Sequence, residues 1–278
     1  MRRQIFATAA AALFLIALQA EAQSIVTVAG GGSDDGQLAT NIALFGPRGL
    51  AFDSAGRLYV VERFQGVIRR IDLRTGTVET IAGTGAAGFG GDGGPARRAT
   101  LKEPRTIFID ASDNIYVADS GNGRVRKIDA KTGIIRTIAG RGAERSDSTI
   151  GDNGPATEAV LRGPWGIWID RGNLYVTEAG FQGQRVRKVV LSTGVITTIA
   201  GPADGSDGFA GDGGPALAAK FSSPLGIIAD SGGNIFVADA DNHRVRRIDA
   251  VTGNIETYAG GGTAKADGVP ANTVDIDY

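Results

Sequence analysis

Cysteine is absent from the 278 residues of the chain, and histidine and methionine occur once each. The lack of cysteine excludes disulfide bonds, thiolate metal sites and a cysteine-linked lipid anchor, so the fold needs a core large enough to stand without cross-links. The single histidine, His243, lies in the segment Asp241-Asn242-His243-Arg244, whose composition is typical of a turn. We therefore expect no catalytic site built on several histidines.

An excess of charge of either sign is also absent. The chain has 29 basic and 30 acidic residues, which gives a formal net charge of −1 at neutral pH. This balance produces no overall field that would attract nucleic acid or an anionic membrane surface. We therefore expect no nucleic acid among the partners of the folded domain.

The chain also lacks an apolar run long enough to span a bilayer, which takes roughly 20 residues. A shorter run, from Ile5 to Leu18, follows Arg2 and Arg3 and precedes the small-x-small segment Ala20-Glu21-Ala22. This pattern predicts a signal peptide over residues 1–22 and export to the periplasm or the cell exterior, without stable membrane insertion. A retained membrane anchor is the alternative.

Glycine is the residue in excess, with 43 copies, about twice the average usage of roughly 7%. Four repeats explain this excess, because many of the glycines fall in the tight turns that the repeats predict. The repeats open at Pro47, Pro104, Pro164 and Pro224, which are 57, 60 and 60 residues apart. Each unit holds four short stretches rich in Val, Ile, Tyr and Phe, without the periodicity of a helix. Four strands in a unit of this length indicate one blade of a β-propeller.

We therefore predict an all-β propeller with four-stranded blades at about residues 47–83, 104–140, 164–201 and 224–260. The motifs Pro-x-Gly-Ile, Gly-Asn-Ile-Tyr-Val-Ala-Asp, Asn-x-Arg-Val-Arg-Lys-Ile-Asp, Thr-Gly and Ile-Ala-Gly recur in this order. In that order they resemble NHL repeats, and the Gly-Asp-Gly-Gly-Pro-Ala segments between units resemble those of exported bacterial members. The resemblance covers nearly all of residues 25–278 and implies a propeller, commonly of six blades.

The count of strands predicts a ring that four blades do not close. Residues 25–30 match the last strand of a unit, although each of the four blades already has a last strand of its own. Residues 261–278 begin a further unit and end where its opening proline is due. Within domain 23–278 we expect four complete blades and an unpaired closing strand, from a truncated five- or six-bladed ring. A complete four-bladed ring with a spare edge strand is the alternative.

Candidate ligand-binding residues lie directly after the opening prolines, where the residue type differs from unit to unit. They are Arg48, Arg105, Trp165 and Leu225. Because the first strand of a propeller blade lines the central channel, we expect these side chains near one channel mouth. Variation at one place on a repeated scaffold is how such folds acquire ligands, and this set suits a protein, a peptide or a carbohydrate. A core role for Trp165 is the alternative.

Repeated carboxylates and arginines have a structural interpretation. Glu62, Asp119, Glu178 and Asp239 share one repeat position, and we expect pairing with Arg124, Arg185 and Arg244 of the next strand rather than a ring around a cation. We expect turns at Asp92, Asp152 and Asp212 of the loops and at Asp53, Asp110, Asp170 and Asp230 of the strand ends. The other basic residues of the third strands are expected on solvated faces: Arg69, Arg70, Arg126, Lys127, Arg187, Lys188, Arg246 and Arg247.

These observations favour an exported, non-catalytic propeller that binds or scaffolds a protein, peptide or carbohydrate and needs no cofactor and no metal. The enzyme alternative is a metal-dependent lactonase-like hydrolase, whose ion in the central channel would need oxygen ligands from several blades. The propeller-shaped lyases that the chain resembles use several histidines, which this sequence lacks.

Overall fold

Sixteen strands form four antiparallel sheets of four strands each in the computed structural model, which describes residues 35–142, 150–265 and 267–276. The first two sheets are β1 Pro47–Phe52, β2 Leu58–Glu62, β3 Val67–Asp72, β4 Thr77–Ala82, and β5 Pro104–Ile109, β6 Ile115–Asp119, β7 Arg124–Ile128, β8 Ile135–Ala139. The others are β9 Pro164–Asp170, β10 Asn173–Glu178, β11 Arg185–Val190, β12 Val195–Ala200, and β13 Pro224–Ala229, β14 Ile235–Asp239, β15 Arg244–Ile248, β16 Ile255–Gly260.

Each sheet is a meander in which strands neighbour one another in chain order. The opening proline of every blade lies opposite the carboxylate that ends the second strand, as Pro47 does Glu62. The prediction of an all-β propeller with four-stranded blades is confirmed. The predicted signal peptide at 1–22 and closing strand at 25–30 lie outside the described residues.

Short polar turns join the first two strands of each blade. Asp53 accepts backbone hydrogen bonds from Ala55 and Arg57, and Asp110 accepts them from Ser112 and Asn114. The fourth blade repeats this arrangement at Asp230. These are the predicted Asx-type turns. The third blade differs, because Asp170 begins a tighter turn whose residues Arg171 and Gly172 both have positive φ.

Apolar side chains fill the space between consecutive blades. At the first junction, Tyr59 and Val61 of β2 pack with Ile107 of β5 and Ile115 of β6. The second and third junctions use the matching residues of later blades. The inner strands follow the same order, with β1 beside β5, β5 beside β9 and β9 beside β13. At each internal junction, one face of a blade therefore packs against the opposite face of the next blade.

The same two faces are exposed on the first and last blades. Leu50 of β1 is 61% exposed, whereas its counterpart Ile107 is 4% exposed. On the last blade Ile228 is 53% exposed, although its counterparts Phe108 and Trp168 pack against the following blade. The two outer faces have the chemistry of an internal junction but lack a partner blade among the described residues.

A buried arginine on the third strand binds each of the later blades together. The side chains of Arg126, Arg187 and Arg246 are fully buried. Each guanidinium contacts the carboxylate that ends the second strand and an aspartate of the loop before the blade. In the third blade, Arg187 Nη1 lies 2.8 Å from Glu178 Oε1 and its Nη2 lies 2.8 Å from Asp152 Oδ1.

The other blades repeat this arrangement, which we call the arginine clasp. Its pairs are Arg126 with Asp119 and Asp92, Arg246 with Asp239 and Asp212, and, less buried, Arg69 with Glu62 and Asp35. The strand-end carboxylate also accepts a backbone N–H from the residue two before the opening proline. These donors are Phe45, Lys102, Arg162 and Ser222, at 2.8–2.9 Å. The clasp thus connects the second strand, the third strand, the loop and the start of the first strand.

The clasp corrects two sequence-based expectations. The partner of Asp119 is Arg126 and not Arg124, whose guanidinium lies 3.6 Å from the centre of the Phe89 ring. Arg244 covers Phe209 in the same way, and Arg185 donates to the Gly183 and Gln182 carbonyls. The expectation of solvated faces is wrong for Arg126, Arg187 and Arg246, because a buried guanidinium needs the nearby carboxylates as counter-charges.

Replacement of Arg126 by Met should lower the free energy of unfolding by about 3–5 kcal/mol, because it leaves Asp119 and Asp92 without their shared cation. Arg98→Met is the matched control, since Arg98 is exposed. Urea unfolding followed by circular dichroism measures both. Equal loss of stability in the two variants would contradict a central role for the clasp.

The turns before the fourth strands should make stability sensitive to acid. The backbone N–H of Thr132 is the main cause of the lowered pKa of Asp129, and the backbone N–H of Thr252 does the same for Asp249. The stabilisation that results is present above the ordinary pKa of 3.8 and is lost as the pH falls through the lower folded-state pKa.

The double variant Asp129→Asn, Asp249→Asn should therefore be less stable than the wild type at neutral pH and closer to it in acid. Urea midpoints across the pH range measure this difference. A deficit that stays constant with pH would show that the carboxylate charge contributes nothing.

The exposed outer faces should make the purified chain associate, because one face fits the other as in the internal junctions. Light scattering should report a mass above that of the monomer, and either Leu50→Glu or Ile228→Glu should reduce it. The control Val251→Glu alters a 94% exposed turn residue and should change nothing. A wild-type chain that stays monomeric at every concentration would contradict this expectation.

Candidate ligand site at the channel mouth

The inner strands β1, β5, β9 and β13 line an open apolar cavity with a volume of about 440 Å³. Its lining includes Leu50, Phe108, Trp168 and Ile228, one from each blade, with Trp165 at the start of β9. Thr106 is the hydroxyl-bearing residue of the lining. Apolar cavities with a few polar groups at one end are the usual form of small-ligand sites.

Two of the four predicted site residues are in direct contact at one end of this cavity. The guanidinium of Arg105 lies 3.9 Å from the centre of the Trp165 ring. Arg48 is exposed and lies close enough to help lower the pKa of Arg105. Leu225 is half-buried, and its carbonyl accepts a hydrogen bond from Thr177 Oγ1 at 2.7 Å. The end of the channel that carries these residues is called the mouth below.

The mouth also contains two residues that sequence reasoning missed. Glu103 Oε2 lies 2.5 Å from Arg63 Nη2 and 3.2 Å from Arg105 Nη2. Both residues depart from the repeat. Arg63 stands where the other units have Ser120, Ala179 and Ala240, and Glu103 stands where they have Gly46, Gly163 and Ser223. The variation that singled out Arg105 was therefore present at these two positions as well.

Glu103 occupies a strained backbone position. The residue before the opening proline has a positive φ in all four blades, with values of 65° at Gly46, 44° at Glu103, 60° at Gly163 and 53° at Ser223. A side chain in this region costs on the order of 1–2 kcal/mol relative to the right-handed region. Strain of this kind is often found where a side chain has a functional task. At Glu103 it places a carboxylate between two arginines.

The charges at the mouth are unbalanced. Burial is the largest cause of the lowered pKa of Arg105, and the nearby Arg63 and Arg48 lower it further, while Glu103 acts in the opposite direction. A hydrogen bond from Arg63 is the main cause of the lowered pKa of Glu103. Glu103 is therefore ionised and its neighbours form a locally positive surface, in a chain with almost no net charge.

Exposed aromatic rings lie on turns at the same end of the blades. Phe64 follows β2 and is 69% exposed, and Phe181 follows β10 and is 78% exposed. Phe64 also lies near the guanidinium of Arg63, 5.0 Å from the ring centre. Exposed aromatic residues beside arginines are typical of interaction surfaces.

The other candidates have structural roles in the described residues. His243 has a φ of 53° at the turn where the second blade has Gly123 at 59°, so it is a turn residue. The carboxylates at 62, 119, 178 and 239 bind arginines of their own blades. The described part of the chain contains no group of three or more His, Cys, Asp or Glu side chains placed to hold a metal ion. Nor does it contain a helix long and apolar enough to cross a membrane.

Comparison with known families identifies the repeats. The NHL repeat family matches residues 221–248, and the teneurin NHL domain family matches residues 85–149. The chain is 29% identical to NHL repeat-containing protein 2 of Bos taurus over 247 residues, covering 78% of this chain and 33% of that protein. It is 27% identical over 227 residues to the chloroplastic protein SUPPRESSOR OF QUENCHING 1 of Arabidopsis thaliana, covering 78% of this chain and 21% of that protein. The chain thus spans about a third or less of these relatives.

Solved structures agree on the fold. An auxiliary nutrient binding protein from Bacteroides ovatus aligns with 78% of this chain and 49% of its own, with a TM-score of 0.57 and 20% identity. A gluconolactonase from Xanthomonas campestris aligns with 78% of this chain and 62% of its own, with a TM-score of 0.52 and 15% identity. At these identities the likeness concerns the fold alone.

Proposed function

We propose that this chain, which belongs to the NHL-repeat β-propellers, is an exported, non-catalytic module that binds a protein or peptide at the channel mouth. The observation that carries the proposal is the guanidinium of Arg105 stacked on Trp165 at the entrance to an apolar cavity. Arginine and tryptophan are the residues most enriched among the strong contacts of protein interfaces. Phe64, beside Arg63, extends the same surface, and Phe181 is exposed on the corresponding turn of the third blade.

The ligand class follows from the lining of the cavity. Apart from Thr106 and the indole N–H groups, the side chains around it are apolar. A carbohydrate would leave many hydroxyl groups without partners there, and each unpaired buried hydroxyl is costly. A protein or peptide brings apolar side chains together with a few polar groups. NHL-repeat propellers typically serve as protein-binding scaffolds, which supports the same choice.

The metal-dependent hydrolase is the weaker candidate. It needs carboxylate or amide oxygens from several blades that converge on one ion. The carboxylates repeated in every blade instead bind arginines in the clasps. Export is part of the proposal and rests on the N-terminal sequence, in which two arginines, an apolar run and a small-x-small segment succeed one another.

Selection of random displayed peptides on the immobilised chain tests the proposal. The selected peptides should lose at least about tenfold in affinity for Trp165→Ala, because the ring supplies both a stacking face and part of the cavity lining. The control Arg74→Gln alters an exposed arginine in the turn between β3 and β4, at the opposite end, and should bind normally. Selected peptides whose affinity is unchanged by Trp165→Ala would contradict the proposal. A stoichiometric divalent ion bound to the chain, together with lactone-hydrolysing activity, would contradict it too.

A further inference from the structure

The arginines at the mouth share one carboxylate. The hydrogen bonds from Arg63 Nε, Arg63 Nη2 and Arg105 Nη2 all end on the same oxygen of Glu103, at 3.1, 2.5 and 3.2 Å. Arg48 adds a third positive charge nearby. A guanidinium has five N–H donors, so the cluster has more donors and more positive charge than Glu103 can satisfy.

Arg105 is less satisfied than Arg63, which makes two hydrogen bonds to Glu103. The Nε of Arg105 is buried and has no hydrogen-bond partner among the described residues. The three fully buried clasp arginines, Arg126, Arg187 and Arg246, also have an Nε without a partner among the described residues, but each of those guanidiniums binds two carboxylates. Arg105 binds one oxygen at 3.2 Å and shares it with Arg63. A largely buried guanidinium, 12% exposed, with so little compensation is suited to receive an anion.

The surroundings of Arg105 limit the shape of that anion. One side of Arg105 is covered by the Trp165 ring, and the same ring lines the apolar cavity. A small hydrated anion would use the arginines and leave the cavity unoccupied. A ligand with a carboxylate and an adjacent apolar group would use both, because planar guanidinium groups bind carboxylates in a bidentate manner.

We infer that Arg105, with Arg63 and Arg48, binds a peptide carboxylate, and that an apolar side chain next to this carboxylate enters the cavity beside Trp165. The inference rests on the proposed function and names the chemistry that its ligand must carry. Glu103 occupies the cluster in the free protein and competes with the incoming carboxylate. The ion pairs with Arg63 and Arg105 hold this internal carboxylate in place.

Tryptophan fluorescence can measure this binding directly. Trp165 and Trp168 are the two tryptophans of the chain and both line the cavity, so a ligand that enters it should change the fluorescence of the unaltered protein. The probes are acetyl-Gly-Gly-Leu-Phe with a free carboxylate, its C-terminal amide, the amide of acetyl-Gly-Glu-Leu-Phe, and inorganic phosphate. The free acid or the glutamate-bearing amide should bind at least about tenfold more tightly than the plain amide, and binding should weaken with salt.

Two variants separate a ligand site from a structural ion pair. Arg105→Gln should weaken the carboxylate probes by about tenfold or more, and Arg74→Gln should leave them unchanged. Glu103→Gly should tighten them, because it removes the competing carboxylate and restores the residue found at Gly46 and Gly163. If the cluster serves only the stability of the fold, Glu103→Gly should give no gain in affinity and should lower the unfolding midpoint.

Comparing the affinities of the free acid and of the glutamate-bearing amide shows whether the site prefers a C-terminal carboxylate or a glutamate side chain. Equal binding of the free acid and the plain amide, with no gain from glutamate, would overturn the inference. Phosphate that binds as tightly as the peptides would overturn it too, since the site would then take any anion. Selected peptides that need Trp165 but no carboxylate would leave the proposed function standing and refute this inference alone.

Discussion

The buried arginine of the third strand is the interaction on which the blades depend. Its guanidinium holds two carboxylates, one from the end of the second strand and one from the loop before the blade. Isolated buried charges cost many kcal/mol, so the buried arginine and the buried strand-end carboxylate need each other, and the partly exposed loop aspartate adds a second counter-charge. Because the same carboxylate accepts an N–H just before the opening proline, the clasp also fixes where each inner strand begins. The channel mouth lies at that point.

This arrangement divides the repeat into two kinds of position. Clasp and junction positions keep their chemical character, acidic, basic or apolar, since each has equivalent partners in the other blades. Positions at the mouth are free to differ, and at the first two blades they hold Arg63, Glu103 and Arg105, with Trp165 from the third. Ligand specificity can therefore change at the mouth without loss of the fold, as is usual for sites carried on repeated scaffolds.

The sequence was sufficient for the blades and for part of the site. Four spaced prolines with β-prone stretches predict the strands, because strand, turn and proline signals are local. The variable residue after each proline led to Arg105 and Trp165 for the same reason. The pairing of Asp119 with Arg126 was missed, since Arg124 is the residue directly opposite Asp119 in the strand register and the burial of Arg126 depends on the neighbouring loop. Arg63 and Glu103 were missed because they are 40 residues apart, and only the packing of two blades brings them together.

We infer that departures from the repeat at the mouth create a site for a peptide carboxylate above an apolar cavity. A crystal structure of the chain with acetyl-Gly-Gly-Leu-Phe bound would test it most directly. The peptide carboxylate should lie within hydrogen-bonding distance of the Arg105 guanidinium, with an apolar side chain in the cavity beside Trp165. A peptide bound on the outer strands, or a carboxylate facing solvent away from Arg105, would contradict it.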